Sequence, residues 1–342
     1  MSPIIKIFPR CPGSGTILPL SGDDITMQVP SYRELSDSGE LGERVRRAFD
    51  LISSCSLCPR KCGADRAEGE RGFCHAGLLP AVARYGPHHG EEPPISGIHG
   101  SGTIFFTHCN LRCAYCQNHA ISQQTCGREI SCVDLADIML ELQDEKCHNI
   151  NLVSPTHVVP QILSAIEIAA GNGLNIPLVY NTGSYDSLPV LRLLDGIVDM
   201  YLPDTKYGRN EIGALLSQIP DYTTVMMTAL REMHRQVGDL VCDRGLGVRG
   251  LLIRHLVLPG NLAGSEIVMH FIATEISRGS FVNIMDQYRP VWKALELSDD
   301  PVFRQMSRPI TRDEYSFAVG CARREGLTRG IPDAQGPAGL PQ

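Results

Sequence analysis

No excess of basic residues marks this sequence. Its 31 Lys and Arg stand against 38 Asp and Glu, a net charge of −7 with a pI near 5.9. That balance excludes a protein that coats nucleic acid or an anionic membrane. Long apolar runs are also missing. Leu251 to Leu258, among the longest, is interrupted by Arg254 and His255 and falls far short of the roughly 20 residues of a membrane span. Met1 to Arg10 lacks a basic start followed by an apolar core, so no secretory signal is expected and the expected location is the cytoplasm. There is no internal repeat, and no Lys-Ser/Thr follows Gly97, Gly100 and Gly102 in P-loop fashion. With 43% hydrophobic and 20% charged residues, collagen-like, disordered and membrane classes are excluded. A length of 342 residues suits two domains at most, or one large α/β barrel with appendages.

What the sequence does have is cysteine. Thirteen are present, an odd number, so complete pairing within the chain is impossible. Without an export signal, closely spaced thiols read as metal ligands rather than disulfides. Seven lie between Cys55 and Cys116, in two groups of different spacing. Cys11, Cys126, Cys132, Cys147, Cys242 and Cys321 are scattered and read as small buried hydrophobes or idle thiols.

Texture divides the chain. Residues 1–54 form a mixed N-terminal segment with helical spacing over Glu43–Ile52. Residues 55–100 are rich in Gly, Pro, Cys and charge and read as irregular, so a bound metal would help them hold a shape. From residue 101 to 290 short β-branched or aromatic runs alternate with helical patterns. The strands are expected at Thr103–Thr107, Ile150–Ser154, Pro177–Asn181, Val198–Leu202, Leu251–Leu258 and Phe281–Met285. The helices are expected at Val133–Cys147, Val158–Ala170, Leu188–Leu194, Tyr222–Val237 and Leu262–Ser277. Ser131 and Asp134 resemble a capping box. Six strands alternating with helices imply parallel βαβ units and a barrel-like sheet, with reactive groups at the C-terminal strand ends. Residues 291–325 read as a helical extension, and 326–342, rich in Gly and Pro, as a disordered tail.

Directly after the first of these strands comes Thr107-His-Cys109-Asn-Leu-Arg-Cys113-Ala-Tyr115-Cys116-Gln-Asn118. Three thiolates spaced Cys-x3-Cys-x2-Cys can converge on one cluster and are one short of the four that saturate an iron–sulfur cube. The open iron is then available to a small molecule, as at catalytic zinc. This motif, with Tyr115 before the third cysteine, resembles the radical S-adenosylmethionine superfamily. Phe105-Phe106, Asp204-Thr-Lys206-Tyr207, Arg254-His255-Leu-Val-Leu-Pro259-Gly260 and Gln287-Tyr288-Arg289-Pro290 are similar to the branch around pyruvate formate-lyase activating enzyme. With the upstream cysteines, the set looks most like the uncharacterised activating-enzyme-like proteins, over roughly residues 40 to 325.

The resemblance implies a partial (β/α)6 barrel with an N-terminal cysteine-rich metal-binding extension. It implies that Cys109, Cys113 and Cys116 hold a [4Fe–4S] cluster whose fourth iron binds the methionine amine and carboxylate of S-adenosylmethionine. One electron would cleave the sulfonium to methionine and a 5′-deoxyadenosyl radical, which abstracts hydrogen from a substrate. It places Tyr115 against the adenine, makes Lys206 and His255 contacts to the cofactor, lets Asp204 orient Lys206 or a ribose hydroxyl, and offers Asn181 to the ribose. Apart from the resemblance, Asp204 and Lys206 also read as a local ion pair, and His255 as a satisfied core histidine. Most of the superfamily has Gly-Gly-Glu after the second strand. Here Val153-Ser154-Pro155-Thr156-His157 stands there, with hydroxyls but no carboxylate. His157 reads equally as a substrate group or a capping residue.

Upstream, Cys55, Cys58, Cys62 and Cys74 are spaced Cys-x2-Cys-x3-Cys-x11-Cys. Four thiolates suit a closed structural zinc site or a second iron–sulfur cluster, and the spacing accepts either. His75 is a weaker substitute ligand. His88-His89 with Glu91-Glu92 reads as a solvated polar loop. Arg289 reads equally as a partner for a substrate carboxylate or for a core acid.

The expected function is therefore a radical S-adenosylmethionine enzyme acting on an unknown small molecule or peptide. Its partners are S-adenosylmethionine and an electron donor such as flavodoxin or ferredoxin, with neither nucleic acid nor membrane. One alternative is an activase that installs a glycyl radical on a partner protein. Another is a non-catalytic metal-binding or redox-sensing module.

Overall fold

The computed structural model describes residues 29–124, 126–296 and 300–332. It is a mixed α/β architecture around one nine-stranded sheet. The strands are β1 (Ala81–His88), β2 (Ser101–Phe106), β3 (Arg128–Glu129), β4 (Ile150–Val153), β5 (Leu178–Thr182), β6 (Met200–Pro203), β7 (Val241–Asp243), β8 (Leu246–Leu256) and β9 (Phe281–Met285). Six of them, β2, β4, β5, β6, β8 and β9, pair side by side in sequence order, and every pair is parallel. β1 adds antiparallel to β2 and carries β3 on its far edge, while β7 turns back on β8.

These strands are buried on both faces, which is why they read as apolar runs rather than alternations. One face packs on the helices in the main core. The other carries Val179, Met200, Leu202, Leu252 and Phe281 in a second, smaller cluster with Ile95 and Leu240. Helices fill the crossovers, among them Cys132–Asp144, Val159–Gly171, Leu188–Leu193 and Tyr222–Val237. Ser131 and Asp134 form the expected capping box, with Asp134 N–H donating to Ser131 Oγ at 3.0 Å. The pattern over Leu262–Ser277 becomes the helix Ser265–Phe271, which continues as a π-helical turn over Ile272–Ile276.

Three segments differ from expectation. Residues 55–100 are not wholly irregular, since β1 lies within them. Glu91 and Glu92 do not sit in a solvated loop: their side chains are 8% and 5% exposed and paired with Arg254. The tail expected from residue 326 begins as packed chain. Leu327 is buried, and the carbonyl of Arg329 accepts from Val282 N–H at 3.0 Å. The rest of that tail, 333–342, and Cys11 lie outside the described residues.

Candidate active site and metal centre

The Cys109–Cys116 loop leaves the C-terminal end of β2, the first of the six parallel strands. His108 turns the chain there with φ +76°, a left-handed conformation that a non-glycine residue adopts only when its surroundings hold it. The loop is packed rather than loose: Arg112 N–H and Ala114 N–H donate to the carbonyls of Ser217 and Leu216. Each of its thiols has a polar neighbour. Leu111 N–H donates to Cys109 Sγ at 3.4 Å, Ser217 Oγ–H to Cys113 Sγ at 3.0 Å, and Cys116 Sγ stands 3.3 Å from Ser122 Oγ. Cys109 and Cys113 feel each other and Cys116 electrostatically, and Lys206 acts on both. Burial pushes both thiols up, so without a metal they are neutral. A metal would replace those protons outright.

Lys206 follows β6. Its Nζ lies 2.6 Å from Asp204 Oδ2, with the two side chains 19% and 25% exposed. Burial opposes its charge, but the carboxylate of Asp204 more than reverses this, so Lys206 stays protonated. Lys206 Cε and Leu111 of the cysteine loop both lie against Gly183, so the ion pair and the loop are neighbours. Asn181 is buried on β5, opposite Val153 of β4 and Leu202 of β6. Ser154, just after β4, takes φ +58° and donates its N–H to the Asn181 carbonyl at 2.9 Å.

Tyr115 turns into the protein. Its hydroxyl donates to Tyr207 at 2.8 Å, Tyr207 pairs with Ser217 at 2.6 Å, and Ser217 reaches Cys113. Its ring packs edge-on against Tyr207 and Tyr288. This hydroxyl chain, ending on a sulfur, was not legible in the motif. The expected cofactor contact of His255 is not supported by its geometry. The ring is fully buried, Nδ1 lies 2.7 Å from the Thr205 carbonyl and Nε2 2.9 Å from Ser265 Oγ, so both nitrogens are engaged within the protein. Arg289 is exposed, and His157 is a buried tie, its Nε2 at 2.8 Å from the Thr107 carbonyl.

The four upstream cysteines come together. Cys55, Cys58, Cys62 and Cys74 line one pocket, with Arg60 and Arg66 on its wall. Burial pushes the Cys58 thiol up to about 12 and raises Cys74, and each feels neighbouring thiols of the set. Gly72 closes against it: a Cβ there would overlap Cys62 Sγ. Arg66 is buried and donates to the carbonyls of Gly77 and His157. Among the described residues no group of three or more His, Cys, Asp or Glu side chains is placed so that it could hold a metal ion. By residue type the two places suit thiolate-bound metal: three cysteines in the loop and four on the upstream pocket, of which Cys55 and Cys113 are buried and Cys62 is exposed, with N–H, O–H and guanidinium groups nearby. His75 keeps to the loop, its carbonyl accepting from Arg71. None of the twelve described cysteines is in a disulfide.

No helix among the described residues is long and apolar enough to cross a membrane. No family model matches the chain. A radical SAM methyltransferase from Sphaerobacter thermophilus, known from its crystal structure, is similar at 12% identity. The match covers 68% of this chain and 67% of that one, with a TM-score of 0.44. The uncharacterized protein MJ0674 of Methanocaldococcus jannaschii is 32% identical over 294 residues, 83% of this chain and 78% of that protein. Identity at that level along most of both chains makes this protein a member of the MJ0674 family.

Proposed function

We propose that this chain is a radical S-adenosylmethionine enzyme. The observation that carries the reading is the Cys109–Cys113–Cys116 loop: three thiols in one packed loop at the end of a parallel strand, each with a polar neighbour, beside the protonated Lys206. The finer architecture belongs to the same proposal. The six parallel strands in sequence order are the strands of a partial (β/α)6 barrel, and residues 55–100 are its metal-binding extension. The bound [4Fe–4S] cluster would supply the electron that splits S-adenosylmethionine into methionine and a 5′-deoxyadenosyl radical.

The chain's own residues bind, orient and enclose. Cys109, Cys113 and Cys116 hold three corners of the cluster. Leu111 N–H and the Ser217 hydroxyl, donating to sulfur, offset part of the negative charge that an added electron brings. Lys206, fixed by Asp204, presents an ammonium to a carboxylate such as that of methionine. The Tyr115–Tyr207–Ser217 chain fixes the loop and keeps water from Cys113. No carboxylate stands in the Ser154–His157 segment for the methionine amine, and the Thr156 hydroxyl is buried and donates to Asp186, so the half-buried Ser154 hydroxyl and main-chain carbonyls are the acceptors offered there.

The substrate is proposed to be a small molecule or peptide rather than a glycyl-radical partner, because the four-cysteine extension exceeds what a minimal activase requires. A flavodoxin or ferredoxin in the cytoplasm would supply electrons. The reading is tested by anaerobic reconstitution with iron and sulfide, followed by dithionite and S-adenosylmethionine. The expected product is 5′-deoxyadenosine, absent from Cys113→Ser. Full iron loading with no 5′-deoxyadenosine would establish the binding or redox-sensing module instead.

A further inference from the structure

The extension holds two cations that the rest of the molecule does not neutralise. Arg66 is 1% exposed, yet its guanidinium donates to main-chain carbonyls, those of Gly77 and His157. Arg60 donates likewise to the carbonyls of Asn110 and Gln218, at 2.7 and 3.0 Å. Among the described residues, neither is assigned an ion pair with a carboxylate. A buried guanidinium without an anion, as at Arg66, is costly; Arg60 is half-buried over the Phe73 ring, and both line the pocket of the four thiols. Four thiolates around a zinc ion or an oxidised iron–sulfur core leave a dianion, which two guanidiniums match. Zinc accepts no further electron. An iron–sulfur core does, and the same cations stabilise the extra charge.

The second observation is what separates the two cysteine sets. Asn110, the residue after Cys109, also lines the upstream pocket. Its Oδ1 stands 4.0 Å from Cys109 Sγ, and its Nδ2 donates to the Tyr185 carbonyl at 2.7 Å. Arg60, bonded to the Asn110 carbonyl, acts electrostatically on both Cys58 and Cys109. One residue therefore borders the upstream pocket and stands beside a thiol of the other set.

We propose that Cys55, Cys58, Cys62 and Cys74 hold a second iron–sulfur cluster that passes electrons across Asn110 to the Cys109 loop. This rests on the radical reading above. A reduced one-electron carrier protein of the flavodoxin or ferredoxin class gives up one electron and is oxidised. The upstream cluster is reduced and returns to its oxidised state as the electron moves on. No bond changes until that electron enters the sulfonium, whose C–S bond breaks to methionine and the 5′-deoxyadenosyl radical.

The test uses the full chain, purified without oxygen, with metal and sulfide analysis and electron paramagnetic resonance after dithionite reduction. The expected result is about eight irons and eight sulfides per chain, with two magnetically interacting centres. The Cys55→Ser/Cys58→Ser variant should keep about four irons and lose the interaction. Arg66→Gln, which leaves every thiol in place, should shift the midpoint potential of the upstream centre to a more negative value. Wild-type protein with zinc upstream and about four irons at the Cys109 loop overturns the relay and leaves the radical reading standing. So do two centres with no magnetic interaction. Irons that survive Cys109→Ser/Cys113→Ser without loss overturn the radical reading, and the relay with it.

Discussion

At the scale of single residues, the decisive distinction is between groups that face the site and groups that support it. The motif placed Lys206 and His255 together as cofactor contacts; the structure keeps them near one another, through Thr205, but engages them differently. Lys206 remains beside the cysteines, whereas His255 is locked between Thr205 and Ser265. Alternation along β8 explains it, since neighbouring residues of a strand point to opposite faces. Arg254 reaches Glu92, and His255 enters the helix-side core. Burial pushes the His255 imidazole down from 6.5 to about 4. The unfolded chain therefore binds a proton more readily, and stability is fully present above pH 6.5. It is lost as pH falls toward 4, by on the order of 3 kcal/mol. Urea midpoints measured across that window should fall in the wild type. The fall should be smaller in His255→Gln, whose own midpoint at pH 7.5 sets its baseline.

Among the elements, the long periodic helices and the six parallel strands were legible, because their apolar patterns are set by burial on known faces. The strand β1 was not. Gly86 and Pro87 sit within it, and its pairing slips between Val82 and Arg84. Proline is tolerated at such a position because the strand lies near the sheet margin, where a missing N–H costs little. The helix Arg312–Arg324 shows how one cap joins two elements. Thr311 Oγ1 accepts from Glu314 N–H, and Glu314 accepts in return from Thr311 N–H and from Gly260 N–H after β8. Burial pushes the Glu314 carboxyl up, but Arg308 and these N–H groups more than reverse it and hold it at about 2. Thr311→Ala should cost about 1 kcal/mol by chemical denaturation and leave metal content unchanged.

Across the whole molecule, the first and last parallel strands do not pair with each other, and a charged clasp spans the region between them. Arg254 on β8 holds Glu92 at 2.8 and 2.5 Å and also holds Glu91, while Asn283 on β9 donates to Glu92 at 2.6 Å. Both acids come from the connection between β1 and β2. Sequence gave no sign of this, because His88-His89-Gly-Glu91-Glu92 has the composition of a surface loop and its partner lies some 160 residues onward. Arg254→Met leaves two buried carboxylates without their guanidinium, with only Asn283 on Glu92 and His88 on Glu91, and should cost about 3–5 kcal/mol. A triple Arg254→Met/Glu91→Gln/Glu92→Gln variant should recover much of that loss, read as the denaturant midpoint.

The ties of the extension also set an order of events during synthesis. Arg66 completes its contacts on His157, 91 residues later, and Arg60 on Gln218, 158 residues later. A ribosome therefore releases Cys55 to Cys74 long before the walls that shelter them exist. Through that interval the four thiols stand without those walls, so any occupant that needs their shelter would be held only after Gln218 has been made.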